Sequence, residues 1–228
     1  MVFHWSYILL IPGMLLTFWA RSNILGTYRR YAKIPSSMGM TGAQVAHKIL
    51  QQMGLHHVKV ERTSGELTDH YDPRAKVVRL SEGIYDSNSL AAAAVAAHEC
   101  GHVLQDQQGY AFMNLRATLV PAANIGGQIS PLLIMGGLVL GQLGQLFILA
   151  GIALFLGVIA FHVVTLPVEL DASSRALKLI DQLGILQGSE HKGAKAVLNA
   201  AAWTYVATAL YAVLQLAQYL IILASRNR

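Results

Sequence analysis

A single cysteine, Cys100, excludes a disulfide framework and fits a reducing compartment. Charge is almost as scarce. Asp, Glu, Lys and Arg make up 13% of the 228 residues against 54% hydrophobic ones, too little polarity for an ordinary soluble domain. The net charge is +5, yet no basic cluster interleaved with aromatics sits on one element, which argues against nucleic acid. No Gly-rich loop runs into a helix carrying a Lys, so nucleotide binding has no support either. Internal repeats and low-complexity linkers are also missing.

What is present points to a bilayer. Residues 117–166 contain no Asp, Glu, Lys or Arg. One crossing takes about 20 residues, so this stretch predicts two crossings with a tight turn near Gly141–Gln145. Trp5–Ala20 is uncharged and apolar, with Trp5, Tyr7 and Trp19 placed as interfacial anchors. It lacks a basic n-region and a small-residue cleavage site, so it reads as a retained anchor, short and weakened at Pro12-Gly13. A last apolar run, about Ala200–Ala224, is long enough to span. Four membrane segments result. Gly137-x-x-x-Gly141 and Gly126-Gly127 allow close helix packing, within the chain, in a homo-oligomer or with a membrane partner protein. Asn124, Gln128 and Ser130, at membrane depth, are expected to face protein rather than lipid.

Orientation follows from the basic residues. Eleven Lys/Arg lie in 21–116 and four in 168–200, against Arg226 and Arg228 beyond the last span. Those near the membrane predict a cytoplasmic polar domain, an N-terminus outside, and a multi-pass protein of the inner (plasma) membrane.

The polar stretch 21–116 reads as a small α+β unit. Thr41-Gly42-Ala43-Gln44 is a capping box opening a helix over Gly42–Met53, with Gly54 as its stop. Val58–Arg62 has strand character, and Leu67–Tyr71 and Lys76–Ser81 can pair across the turn-like Asp72–Ala75. A strand just ahead of the next helix offers an edge to which a substrate peptide could add, or merely a cover for that helix.

That helix carries the chemistry. Ala91–Gln107 contains His98-Glu99-Cys100-Gly101-His102, the HExxH arrangement, in a run of strong helix formers capped by Asp86–Ser89 and ended at Gly109. At 100° per residue both histidines fall on one face a turn apart, where they can reach one metal ion. Glu99 sits beside that face, placed to act on water rather than on the metal. Zinc fits the set, and a shuffled chain of this composition would show HExxH only about 0.01 times. Cys100 points away from the ligand face and reads as a buried small residue.

A catalytic zinc takes three protein ligands and keeps one position open. If residues 117–166 cross and return, the chain re-emerges beside the HExxH helix at Leu166-Pro167-Val168-Glu169-Leu170-Asp171. Pro167 suits the first turn of a new helix, and Glu169 would project from that turn. Asp171, two residues on, points elsewhere and is the rival. His70, His56, His57 and His191 are weaker rivals. His162 lies inside the third crossing.

The chain resembles the YugP-type neutral zinc metallopeptidases of bacterial membranes over nearly its whole length. The likeness rests on TGAQVAHKIL (41–50), LTDHYDPRAKVVRLSEGIYDSNSLAAAAVAAHECGHVLQD (67–106), LVPAANIG (119–126), VTLPVELDASSRAL (164–177) and VLNAAAWTYVA (197–207). In plan it is similar to the HtpX-type membrane proteases, whose third ligand opens a Glu-x-x-x-Asp motif. Glu169 matches that Glu, but Ser173 stands where the Asp would be, so Ser173, Asp171 or neither supports a ligand histidine. Leu170-Asp171 resembles part of the ligand motif of intramembrane site-2 proteases, but the HExxH helix here is too polar to span.

The resemblance implies an α-helical membrane protein with four transmembrane helices and a small α+β, zincin-like cytoplasmic domain. It implies one Zn2+ per chain held by His98, His102 and Glu169, with Glu99 as general base, and protein or peptide segments near the bilayer as substrate. Arg175, Tyr205, His162 and His70 are unranked candidates for the oxyanion donor. The competing reading is a membrane scaffold with a structural or degenerate zinc site, which would need a fourth protein ligand closing the coordination.

Overall fold

The computed structural model describes residues 4–226; Arg228 lies outside the described residues. The chain forms two compact units. One comprises the chain up to residue 21, 111–167 and from 204 onward, and the other comprises 22–110 and 168–203.

The first unit is all helix. A 3-10 turn at Trp5–Leu9 leads into α1 (Leu10–Tyr31), followed later by α5 (Ala111–Val139), α6 (Gly144–Gln182) and α7 (Gly188–Arg226). Four segments, Trp5–Tyr31, Ala111–Val139, Gly141–Gln182 and Gly188–Ser225, are long and apolar enough to cross a membrane. The expected turn falls at a 3-10 segment, Gly141–Leu143, with Gly141 at φ +41. Its core joins Ile134, Ile148, Ile152, Phe155, Ala212, Tyr219 and Ile222.

Three expectations about this unit need correction. Pro12 does not weaken α1, because it is the third residue of the helix, where its missing N–H has no helical acceptor to lose. The helix therefore runs to Tyr31, well past Ala20. Gly137-x-x-x-Gly141 is not one packing face: a Cβ at Gly137 would meet Ile148 and the Gly144 carbonyl within the chain, whereas Gly141 belongs to the turn. Ser130 is buried, but Asn124 and Gln128 are exposed. The packed face of α5 runs through Gly126, Ser130, Ile134 and Gly137, and residues two positions away from it necessarily point outward.

The second unit is α+β. Thr41 caps α2 (Gly42–Gln52) with the expected box: its hydroxyl accepts from the Gln44 N–H while the Gln44 side chain accepts from the Thr41 N–H. Gly54 follows at φ +71, a conformation glycine adopts without steric cost. Strands β1 (Lys59–Thr63), β2 (His70–Asp72) and β3 (Val77–Ser81) form one sheet in the order β1-β3-β2. The hairpin pairs His70 with Arg79 and Asp72 with Val77; β1 joins β3 in parallel. The strand nearest the HExxH helix in sequence is therefore the central one, not an edge, and a short helix α3 (Glu82–Tyr85) stands between them. The free edges belong to β1 and β2. Strand β2 also starts later than expected, because Leu67 takes a left-handed φ of 57.

Helix α4 (Leu90–Gln107) opens at Ser89, whose hydroxyl accepts from the Ala92 N–H, and stops before Gly109 at φ +62. Ala91–Ala94, Ala96 and Ala97 are all buried, so the helix is covered around most of its circumference. Small side chains make it thin enough for that. It is also closely approached by α6. A Cβ built on Gly101 would lie 2.5 Å from the Ala172 carbonyl oxygen, closer than any side chain tolerates.

Pro167 is another correction. It opens no new helix but lies inside an uninterrupted α6 of 39 residues. Membrane helices accept an internal proline where neighbouring groups take up the freed carbonyl. The carboxyl-terminal part of α6 then carries Val168, Glu169, Ala172 and Ala176 on its buried side in the second unit.

Replacing Gly101 by Ala should push α4 and α6 apart and lower stability by about 1–3 kcal/mol, read as a fall in the melting temperature in detergent. Gly127→Ala is the control, since nothing lies within 4 Å of the new Cβ. It should be neutral or slightly stabilising.

Candidate metal centre

Helical spacing puts His98 and His102 one turn apart on α4, with ring centroids 4.8 Å apart and the rings nearly perpendicular. The Gly101–Ala172 approach brings α6 against that face, and Glu169 comes with it. Its Oε2 lies 3.3 Å from His98 Nε2 and 3.6 Å from His102 Nε2. A tetrahedral zinc with ligand bonds of about 2.0–2.1 Å separates its donors by about 3.3–3.4 Å. The donor set and its spacing both suit that ion. All three ligand atoms lie within 4.8 Å of one another, and this is the one such His/Cys/Asp/Glu group among the described residues.

The trio is sheltered. Glu169 and His102 are buried and His98 nearly so. Taking a carboxylate out of water is costly unless it is paired, and here two imidazoles converge on one of its oxygens. Burial works to lower the His102 ring, but the adjacent Glu169 carboxylate and the charge of Glu99 overcome it and hold the ring above its ordinary value. Glu99 is buried beside the pair. Burial pushes its carboxyl up, against the pull of the two imidazoles. A carboxyl raised in this way holds a proton more readily, which suits a group that takes one up and passes it on.

Both imidazoles are also held from behind. His98 Nδ1 meets the Ser173 hydroxyl at 3.1 Å, and His102 Nδ1 meets Gln105 Oε1 at 2.9 Å. The Gln105 amide nitrogen donates to the Val168 carbonyl and to Asp171 Oδ2, each at 2.8 Å. So Ser173, in the place of an Asp, touches one histidine directly, and Asp171 reaches the other only through Gln105. Asp171 also accepts from Arg175 Nε at 2.5 Å, and Arg175 Nη1 donates to Gln108 while its guanidinium sits over the Tyr110 ring. Arg175 is thus committed to its neighbours on α6 and the end of α4.

His70 contacts the Thr68 carbonyl and Arg79 on the exposed side of β2. His57 contacts Gln107, and His191 the Leu177 carbonyl. His162 and Tyr205 are half-buried and belong to the helical unit. Cys100 is buried, its thiol pushed up by burial, with the Ala46 carbonyl as its neighbour. Two residues at the site escaped the sequence reading. Gln105 is three positions after His102 and so on the same face; a glutamine one turn past the motif was the available signal. Gly101 was visible as a glycine inside an alanine helix, a costly choice unless something must come close.

Two histidines one turn apart on α4 with a glutamate from α6 beside them make a group that could hold a metal ion, and the sequence has relatives described as zinc peptidases. Residues 6–224 match the family described as "Putative neutral zinc metallopeptidase", and the chain belongs to that family. It is 43% identical over 214 residues, 94% of each chain, to the "Putative membrane protease YugP" of Bacillus subtilis (strain 168). No solved structure matches it. The family likeness expected from the sequence therefore holds.

Metal analysis of the purified protein should find zinc in the wild type and lose it in Glu169→Ala. Asp171→Ala should keep the metal with weaker affinity, because Asp171 touches only Gln105 and Arg175. A loaded Glu169 variant beside an empty Asp171 variant would reverse the assignment.

Proposed function

We propose that the chain is a zinc-dependent metalloendopeptidase, with His98, His102 and Glu169 holding one Zn2+ per chain. The observation that carries this reading is the convergence of both Nε2 atoms on one buried Glu169 oxygen, at 3.3 and 3.6 Å, with buried Glu99 alongside. When bound, the ion supplies Lewis acidity toward water and toward the scissile carbonyl. Glu99 accepts the proton of the attacking water and then gives it to the leaving amine nitrogen. Ser173 and Gln105 keep the two rings oriented throughout. Among the described residues the metal-capable group has three members. That favours an open coordination position over the closed set of a structural site.

In this reading residues 1–20 anchor the chain, 21–116 form a cytoplasmic zincin-like domain, and 117–166 make the transmembrane hairpin. Residues 167–199 return the third ligand on the cytoplasmic side, and 200–228 form the last span. The basic residues nearest the apolar helices support that orientation and an N-terminus outside. A site built where a membrane hairpin ends favours peptide segments of unfolded or membrane-proximal proteins as substrates. The name of the Bacillus relative, a membrane protease, agrees with this class.

Glu99→Gln should keep zinc at wild-type stoichiometry while hydrolysis of a casein-type substrate falls by at least about 10²-fold. Undiminished cleavage by that variant would remove Glu99 from its role.

A further inference from the structure

We propose that Gln105 is a positioning residue: it fixes the tautomer of His102 and locks α6 to α4 by relaying the Asp171 carboxylate to the imidazole. This rests on the reading of His98, His102 and Glu169 as the metal site.

The argument is one of donors and acceptors. A glutamine amide has one acceptor oxygen and one nitrogen with two donors, and the two ends are nearly the same shape. Here the surroundings decide between them. The Val168 carbonyl can only accept, and so can the Asp171 oxygen that already receives Arg175. Both stand 2.8 Å from the same end of the amide, so that end must be the nitrogen. Its two hydrogens are then both used. The oxygen is left facing His102 Nδ1 at 2.9 Å, and an oxygen there requires the proton to be on Nδ1. The Nε2 lone pair is thereby left for the side where Glu169 lies. Turning the amide over would set an oxygen against two acceptors and place an N–H against the ring, so the arrangement excludes its own mirror.

His98 has no equivalent selector. The Ser173 hydroxyl at its Nδ1 can donate or accept and so leaves the tautomer open. Gln105 also does a second thing. It is fully buried, and it binds the carbonyl of the residue just before Glu169 while touching the histidine that Glu169 must meet. A slide of α6 by part of a turn would break the Val168 and Asp171 bonds at once. Arg175, held by Gln108, in turn fixes the carboxylate that orients the amide. The order of the relay is Arg175, Asp171, Gln105, His102.

The test is zinc affinity of the full chain in detergent, measured by competition with a chromogenic chelator, together with the visible absorption of the Co2+-substituted protein. Gln105→Met keeps the length but not the polarity and should bind zinc about 10–100-fold more weakly, with an altered Co2+ spectrum. Gln105→Glu should be weakened too, since it sets oxygens against Asp171 and Val168. Adding Asp171→Asn to Gln105→Glu restores a donor opposite the new carboxylate and should recover most of the affinity and the wild-type spectrum. A space-filling role predicts no such recovery. Wild-type affinity and spectrum in Gln105→Met, or a double variant no better than Gln105→Glu, would overturn the inference. If the variants do not fold, nitrogen-15 imidazole shifts of the zinc-loaded wild type decide: a proton on His102 Nδ1 is required, and one on Nε2 refutes it. Zinc binding absent from the wild type, or unchanged in His98→Ala, would instead bring down the metal reading itself.

Discussion

The close approach of two helix backbones at Gly101 and Ala172 is the constraint on which the site depends. Imidazole and glutamate side chains are short, and three of them can share one small ion only if the helices that bear them nearly touch. A glycine at the fourth position of HExxH removes the one Cβ that would stand in the way. The rest of α4 serves the same end: its run of alanines lets α2, α3 and the sheet close around it without widening the helix. Alanine also keeps the helix intrinsically favourable, so the single interior glycine is affordable in stability.

A second constraint is electrostatic. Glu99, Glu169 and two imidazoles share one sheltered volume, and buried charge is tolerated only when every partner is supplied. The protein supplies them in pairs. Each ring offers Nε2 to Glu169 and Nδ1 to a polar group: the Ser173 hydroxyl on α6 for His98, the Gln105 amide for His102. Farther out, Asp106 is similarly bracketed, accepting from Tyr71 and Lys76 and so tying the hairpin to the end of α4. The scaffold around the trio is thus a set of side-chain bonds between α4 and its neighbours, laid over a close-packed alanine seam.

Much of this was legible in the sequence because it rests on local rules. The capping box at Thr41, the Ser89 cap, the glycine stops and the turn near Gly141 are each decided by a few adjacent residues, and each lies where those residues predict. The helical period alone put His98 and His102 on one face, and the charge-free stretch between 117 and 166 returned Glu169 to them. What failed were judgements that depend on surroundings. Proline reads as a break, yet Pro12 and Pro167 both sit inside continuous helices. Strand order is set by pairing across the chain, so nothing near Val77–Ser81 announced a central strand. Asn124 and Gln128 lie off the packed face of α5, which polarity cannot reveal without knowing where that face is. Gln105 carries no motif; only its bonds to a helix more than sixty positions later give it meaning.

The unbroken course of α6 through Pro167 bears on how such a chain comes into being. His98 and His102 emerge from the ribosome well before Glu169, with the whole charge-free hairpin between them. A nascent chain that has made only the earlier element holds two imidazoles and no carboxylate to complete them. The trio is therefore assembled only after the greasy intervening residues have been synthesised, and the order of translation itself postpones the site until α5 and the first part of α6 exist.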